Sequence, residues 1–347
     1  MHMADALLSP AVGLTMWGLS AAALVHAGRR VQALDDDRLP ALMGVMGAFV
    51  FAAQMINFAI PGTGSSGHLG GGLLLAVLLG PHAALIVIAS VLTLQALFFA
   101  DGGLLALGAN IFNLGVLPCW VAYRWVFRPL AGDVAGGPRL SWATMVAALV
   151  ALQLGASGVV LQTVASGISS LPLDAFAALM LPIHGAIGLV EGLATAAILA
   201  FLTRAQPELL VHRQATAGTG RQGSRKAVLA ALAGAALVTA VGLSWFASGD
   251  PDGLEWSVEH LAGQAGLPAA PSDWHAALAA LQDRLAWMPD YALPRTEPAS
   301  AQADGATWPA VDAGTSLAGL VGGLMSLALP LAVALWLGRR RRSMPQR

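Results

Sequence analysis

Nine apolar runs, near residues 10–28, 40–59, 69–80, 82–100, 103–127, 142–166, 177–203, 227–247 and 315–338, leave this chain few folds to choose from. Most come close to the roughly 20 residues that carry a helix across a bilayer. Inside hydrocarbon every backbone N–H and C=O must find its partner within the protein, and a helix provides this within one segment. Composition agrees: of the 347 residues 56% are hydrophobic and 11% charged, against about 25% charged in a soluble domain. The expected fold is an all-α integral membrane protein. Cys119 is the single cysteine and lies in an apolar run, so no disulfide closes within the chain and the thiol reads as buried and inert.

Charge distribution sets the expected topology. The first ten residues lack the positive n-region of a cleavable leader, and Arg29–Arg30 follows the first apolar run, which places the N-terminus outside. The third run is short and Gly80–Pro81 divides it from the fourth, so 69–100 reads either as two spans or as one kinked span. Counting two puts Arg29, Arg30, Arg38, Arg124, Arg128, Arg139, Arg204, Arg213, Arg221, Arg225, Lys226, Arg339 to Arg342 and Arg347 on the inner side, 16 of the 18 basic residues. Only Arg284 and Arg295 fall outside. Counting one inverts every later loop. The positive-inside rule therefore favours nine spans, with the short third helix tilted, shielded by neighbours or flanked by a re-entrant segment.

Two units are expected. Residues 1–205 read as a seven-helix membrane domain. Residues 206–226, polar and rich in Gly, Arg and Gln, form a cytoplasmic linker. Residues 227–342 carry two transmembrane helices around an outer polar insert, 248–313. The terminal LGRRRRSMPQR abuts a span, so it reads as an inner anchor and not as a nucleic-acid site.

The start, MHMADALLSP, bears the first chemistry. The Met1 amine and the His2 amide nitrogen close a five-membered chelate ring; the same amide and the His2 ring Nδ1 close a six-membered one. Histidine is a bulky second residue, so retention of Met1 is expected. A second outer stretch, PGTGSSGHLGGG at 61–72, carries His68 in a loop whose glycines permit close backbone approach. It lacks the lysine of a phosphate loop. Three nitrogens from the terminus and one from His68 would make a square plane suited to Ni(II) or Cu(II) and able to be imposed on Co(II). Read one at a time, both histidines are equally consistent with solvated residues.

The opening MHMADALLSP, GSSGHLGGG followed by LLLAVLLGPHAAL, ADGGLLALGANIFNLGVLP at 100–118 and LPIHGAIGLVEGLAT at 181–195 together resemble the M components of nickel and cobalt energy-coupling factor transporters. DPDGLEWS at 250–257 resembles the P-D-G-L-E segment of the companion N component, so the chain looks like an M–N fusion. Three departures stand out: Ala6 and Gly70 replace usual residues, and the 61–67 loop is about one residue longer. The resemblance implies a substrate-specific membrane component, in a prokaryotic cell membrane, that binds Ni²⁺ or Co²⁺ as transported substrate through Met1, His2 and His68. It implies partners: a transmembrane coupling (T) component and two cytoplasmic ATPases, with hydrolysis on those separate subunits and no organic cofactor. Many relatives serve cobalamin synthesis.

Other polar residues are weaker candidates. His184 and Glu191, seven apart on one span, share a helix face and suit structural or coupling hydrogen bonds, with contact to the metal as the alternative reading. Asn110 and Asn113 read as interhelical glue. Asp101 is expected to cap its span or to steer cations. His82 falls inward, away from the site; His212, His260 and His275 are expected to be solvated; and Trp245, Trp256, Trp274 and Trp287 suit an interface belt or a small insert core. The alternative of a stand-alone secondary metal-ion transporter needs membrane-embedded charge, and Glu191 is the main one on offer. An intramembrane metallohydrolase would need a motif such as H-E-x-x-H, which the sequence lacks.

Overall fold

The computed structural model describes residues 1–34, 36–132, 136–169, 171–205, 222–263, 272–293 and 308–342. Residues 206–221 of the expected linker lie outside these residues, as does His212; its last five residues, 222–226, are not linker but the first residues of a helix that begins at Gln222. A short turn at Asp5–Leu7 precedes α1 (Pro10–Gln32), where the Ser9 side chain caps the first turn and Pro10 occupies a position needing no N–H donor. There follow α2 (Leu39–Gln54), α3 (Gly72–Leu79), α4 (Pro81–Phe98) and α5 (Leu107–Ile111), which continues through a π-helical stretch, Phe112–Phe127, into α6 (Arg128–Ala131). Then come α7 (Pro138–Ser166), α8 (Leu173–Ala205), α9 (Gln222–Val241), α10 (Gly253–Ala262), α11 (Asp273–Leu285) and α12 (Ala313–Arg342).

The protein is a mostly helical, multi-pass membrane protein. Among the described residues five helices, α1, α4, α7, α8 and α12, are long and apolar enough to cross a membrane; α2 and the Lys226–Val241 part of α9 are apolar but shorter. The short third run forms α3, all eight of whose residues are buried, so neighbours shield it from lipid. Gly80 joins α3 to α4 with both helices intact, which settles 69–100 as two helices.

The all-helical expectation misses one element. The second run stops at Gln54, because the chain beyond it forms a hairpin: β1 (Phe58–Ile60) pairs antiparallel with β2 (Ser65–Gly67), Phe58 opposite Gly67. This hairpin sets the angle at which the 68–71 loop enters the bundle.

Helix packing in lipid rests on close approach more than on water exclusion. α12 packs on α2 and α9, and α7 on α8. Gly44 and Gly47, one turn apart on α2, face the α12 backbone so closely that a methyl group at either would strike Leu327 or Ser326 carbonyl oxygen. The second unit is thereby seated against the first.

Candidate metal-capture site

The first four residues run extended into one end of the bundle, so their side chains alternate. Met1 and Met3 are buried, and the Met1 methyl group packs near Gly155 of α7. Asn110 fixes this register at both edges: the Met3 N–H donates to Asn110 Oδ1 at 2.8 Å and Asn110 Nδ2 donates to the Met3 carbonyl at 3.2 Å. Gly103 N–H adds a second bond to that carbonyl, 2.9 Å. Asn110 thus acts on the N-terminal segment itself, whereas Asn113 exchanges two bonds with Gln162 of α7, 2.8 and 2.9 Å, as interhelical glue.

His68 meets this terminus from the hairpin. Its Nδ1 faces the Leu69 carbonyl at 3.2 Å, and its Nε2 lies 3.4 Å from the Met1 amine. The His2 ring stacks on the His68 ring, centroids 5.0 Å apart and planes within 10°. Glu191, buried on α8, accepts N–H bonds from Gly70 (2.8 Å) and Gly71 (3.1 Å). Gly71 sits at φ +77°, a conformation costly for any side chain and one that turns its amide toward that carboxylate. Gln54 Nε2 holds the Gly70 carbonyl, and Gln95 holds Gln54. Glu191 therefore positions the loop that carries His68.

The insert closes the site. Pro251 accepts from Ser66 N–H (2.8 Å), which ties β2 to the DPDGLEWS segment. Asp252 caps α10 with its Oδ1, in a reciprocal box with Glu255. Its other oxygen, Oδ2, lies 2.6 Å from the Met1 amine. The D-x-x-E spacing was readable as a cap; the second partner, 251 residues away, was not. Asp101 also departs from expectation: it caps no helix, and instead pairs with His2 Nδ1 (3.0 Å) and accepts from the Tyr291 hydroxyl (2.6 Å). His275, expected to be solvated, is 3% exposed and donates to the Leu8 carbonyl at 2.8 Å while facing Ser272 through its other nitrogen. His260 is exposed, as expected, and stacks on Trp256. Trp274 and Trp287 are largely exposed.

Between insert and bundle lies a cavity of about 760 Å³ whose lining includes His2, His68 and the carboxylates of Asp5, Asp101, Asp252, Glu255 and Asp290. Burial, the nearby terminal ammonium and His2 together push the His68 ring down to about 3, so it is a neutral ring with a bare nitrogen. Burial alone would raise the two acids, but His2 and Tyr291 hold Asp101 well below the usual carboxylate range, and the terminal ammonium does the same for Asp252. Burial and the adjacent Asp101 carboxylate raise the Tyr291 hydroxyl, which keeps its proton as donor. Among the described residues no three His, Cys, Asp or Glu side chains converge as metal ligands; a set here has to draw on main-chain nitrogen.

The model of the cobalt uptake substrate-specific transmembrane region (CbiM) matches residues 2–209, well over half of the chain. The chain belongs to this family. A PDGLE domain matches residues 226–339, so a CbiM-type region is fused to a PDGLE domain. A putative fused nickel transport protein NikMN of Archaeoglobus fulgidus is 32% identical over 96% of this chain and 98% of its own length. The fused nickel transport protein NikMN of Rhodobacter capsulatus is 33% identical over 78% of this chain and 79% of its own. A cobalt transport protein CbiM of Sorangium cellulosum is 34% identical over 62% of this chain and 96% of its own. A crystal structure of a transition metal transporter, 29% identical, superposes with a TM-score of 0.52 over 62% of this chain and 98% of that one.

Proposed function

We propose that this CbiM-family chain is the substrate-specific component of an energy-coupling factor importer for Ni²⁺ or Co²⁺, and that the ion is held by the Met1 amine, the His2 amide and ring, and the His68 ring. The observation that carries this reading is the 3.4 Å between the Met1 amine and His68 Nε2 beneath a stacked His2 ring. Two nitrogens each about 2 Å from one ion lie about 2.8 Å apart when adjacent and about 4 Å apart when opposite. The amine and His68 would occupy adjacent corners, so their 3.4 Å separation has to close by about 0.6 Å when the ion binds.

Binding then works by exchange. The amine leaves Asp252 and loses a proton, the His2 amide loses another, and the His2 ring leaves Asp101, its Nδ1 proton passing to Nε2 so that Nδ1 is free to bind. Charge is conserved: a dication on an ionised amide carries net +1, as the ammonium did. The acids of the cavity gather cations from outside. Residues 1–205 act as a seven-helix capture unit, 206–221 as a cytoplasmic linker, and 222–342 as a two-helix unit whose insert, 248–313, covers the site. The N-terminus faces outward and the basic ends of the helices face the cytoplasm. A coupling T component and two ATPases supply the energy. The names of the relatives support both metals.

One added residue before Met1 tests the site, because it moves the amine out of chelate range and changes no native side chain. Bound nickel in the purified protein is expected to fall by at least about a hundredfold in affinity; undiminished binding refutes the terminal chelate.

A further inference from the structure

His184 carries a lone pair that the four-nitrogen set leaves unused. It is 0% exposed, on α8, in a helix otherwise apolar along this stretch. Its Nδ1 lies 2.8 Å from the Met180 carbonyl. A carbonyl only accepts, so Nδ1 bears the proton and Nε2 of the neutral ring is bare. Among the described residues that Nε2 has no hydrogen-bond partner although it is fully enclosed. A buried nitrogen without a partner is costly, and more so within a membrane-spanning helix.

The space it faces is specific. A cavity of about 10 Å³ is lined by His184 together with Met1, His68 and Asp252, with Gly67 and Gly253 among the rest. This is room for one water-sized ligand. A side chain at Gly253 would press on Ile183 and the His184 ring, so the glycine of the PDGLE segment leaves the imidazole free. His68 shows the same device: Nδ1 is tied to a main-chain carbonyl and Nε2 turned toward the Met1 amine. Pinning one ring nitrogen so that the other presents its lone pair is how ligating histidines are oriented.

We propose that His184 is an additional ligand of the transported ion, meeting it from the α8 wall through Nε2. This rests on the terminal chelate proposed above. A square-planar set of four nitrogens leaves the ion open above and below, and a fifth donor there would hold the ion while the plane forms or opens.

The test uses the full chain with an unmodified N-terminus and Cu(II) as the probe ion. Wild type, His184→Ala and His184→Gln are compared by visible absorption and by affinity. In both variants the copper band is expected to move to shorter wavelength as the fifth donor is lost, with affinity down about tenfold. Identical bands and affinities in the three proteins would overturn the role of His184 and leave the terminal chelate standing. A wild type that binds no copper, or binds equally well with a residue added before Met1, would overturn both. Should neither variant fold, pulsed electron resonance on copper-loaded wild type counts the imidazoles directly: three are expected, and two would overturn the proposal.

Discussion

The bundle holds two histidine pairs, and they have little in common beyond residue type. His2 and His68 stack at 5.0 Å at the end that carries the N-terminus. His26 and His82 meet edge-on at 5.4 Å, with Trp120 against both, some 24 Å further along α1 from Pro10. Around the first pair stand two carboxylates and a main-chain amine. Around the second, Arg30 and Arg124 contribute positive charge, and His26 is exposed. Ring spacing alone would rank the pairs as equals. What separates them is charge: a cation is welcomed at one end and repelled at the other. Extra donors separate them too, because only the first pair has main-chain nitrogen beside it.

The largest test of that contrast is His68→Ala against the double variant His26→Ala/His82→Ala. Nickel affinity measured by calorimetry should fall at least about a hundredfold in the first and stay within about twofold in the second. Acid comes next. Since two protons leave for each ion bound, affinity should drop by about ten- to a hundredfold per pH unit as the pH is lowered from 8 to 5; a flat profile would argue against an ionised amide. Glu191→Gln keeps the shape at the capture end but halves the acceptor capacity facing the Gly70 and Gly71 amides. About a tenfold loss of affinity is expected, with Glu191→Asp recovering part of it. Asp252→Asn should change affinity least, under about tenfold, because the ion and the ammonium it replaces carry the same net charge. It should instead lower the melting temperature. The Asp252 ion pair and the contacts of Asp101 with His2 and Tyr291, which hold both carboxyls below the ordinary range, contribute stability that is complete above about pH 4 and lost as the pH falls toward their depressed values. In Asp252→Asn that acid-dependent loss should shrink.

The helices were legible because hydrocarbon tolerates so few alternatives: the apolar runs and the Gly80–Pro81 break each find their helix or boundary. The hairpin at 58–67 was hidden, since glycine and serine specify a turn without revealing whether its flanks pair. At the site, Met1, His2 and His68 were readable as a group and the structure brings them together. Asp101 was visible as an acid at the end of a span and Asp252 only as part of DPDGLEWS, but their partners come from folding at long range, which spacing does not encode. His275 was misjudged for the same reason: a polar neighbourhood in sequence became a buried contact with Leu8. His184 had the opposite history, standing out as an ionisable group in an apolar run, with its vacant nitrogen evident only once Met180 was seen beneath it.

The contact between Met1 and Asp252 joins the first residue to one 251 positions later. During synthesis the amine emerges long before its carboxylate, and closing so large a loop is slow work for a chain. The clasp at the capture end therefore waits for residue 252: α1 to α8 are made while their terminus has no carboxylate to meet, and that carboxylate arrives only with the final third of the polypeptide.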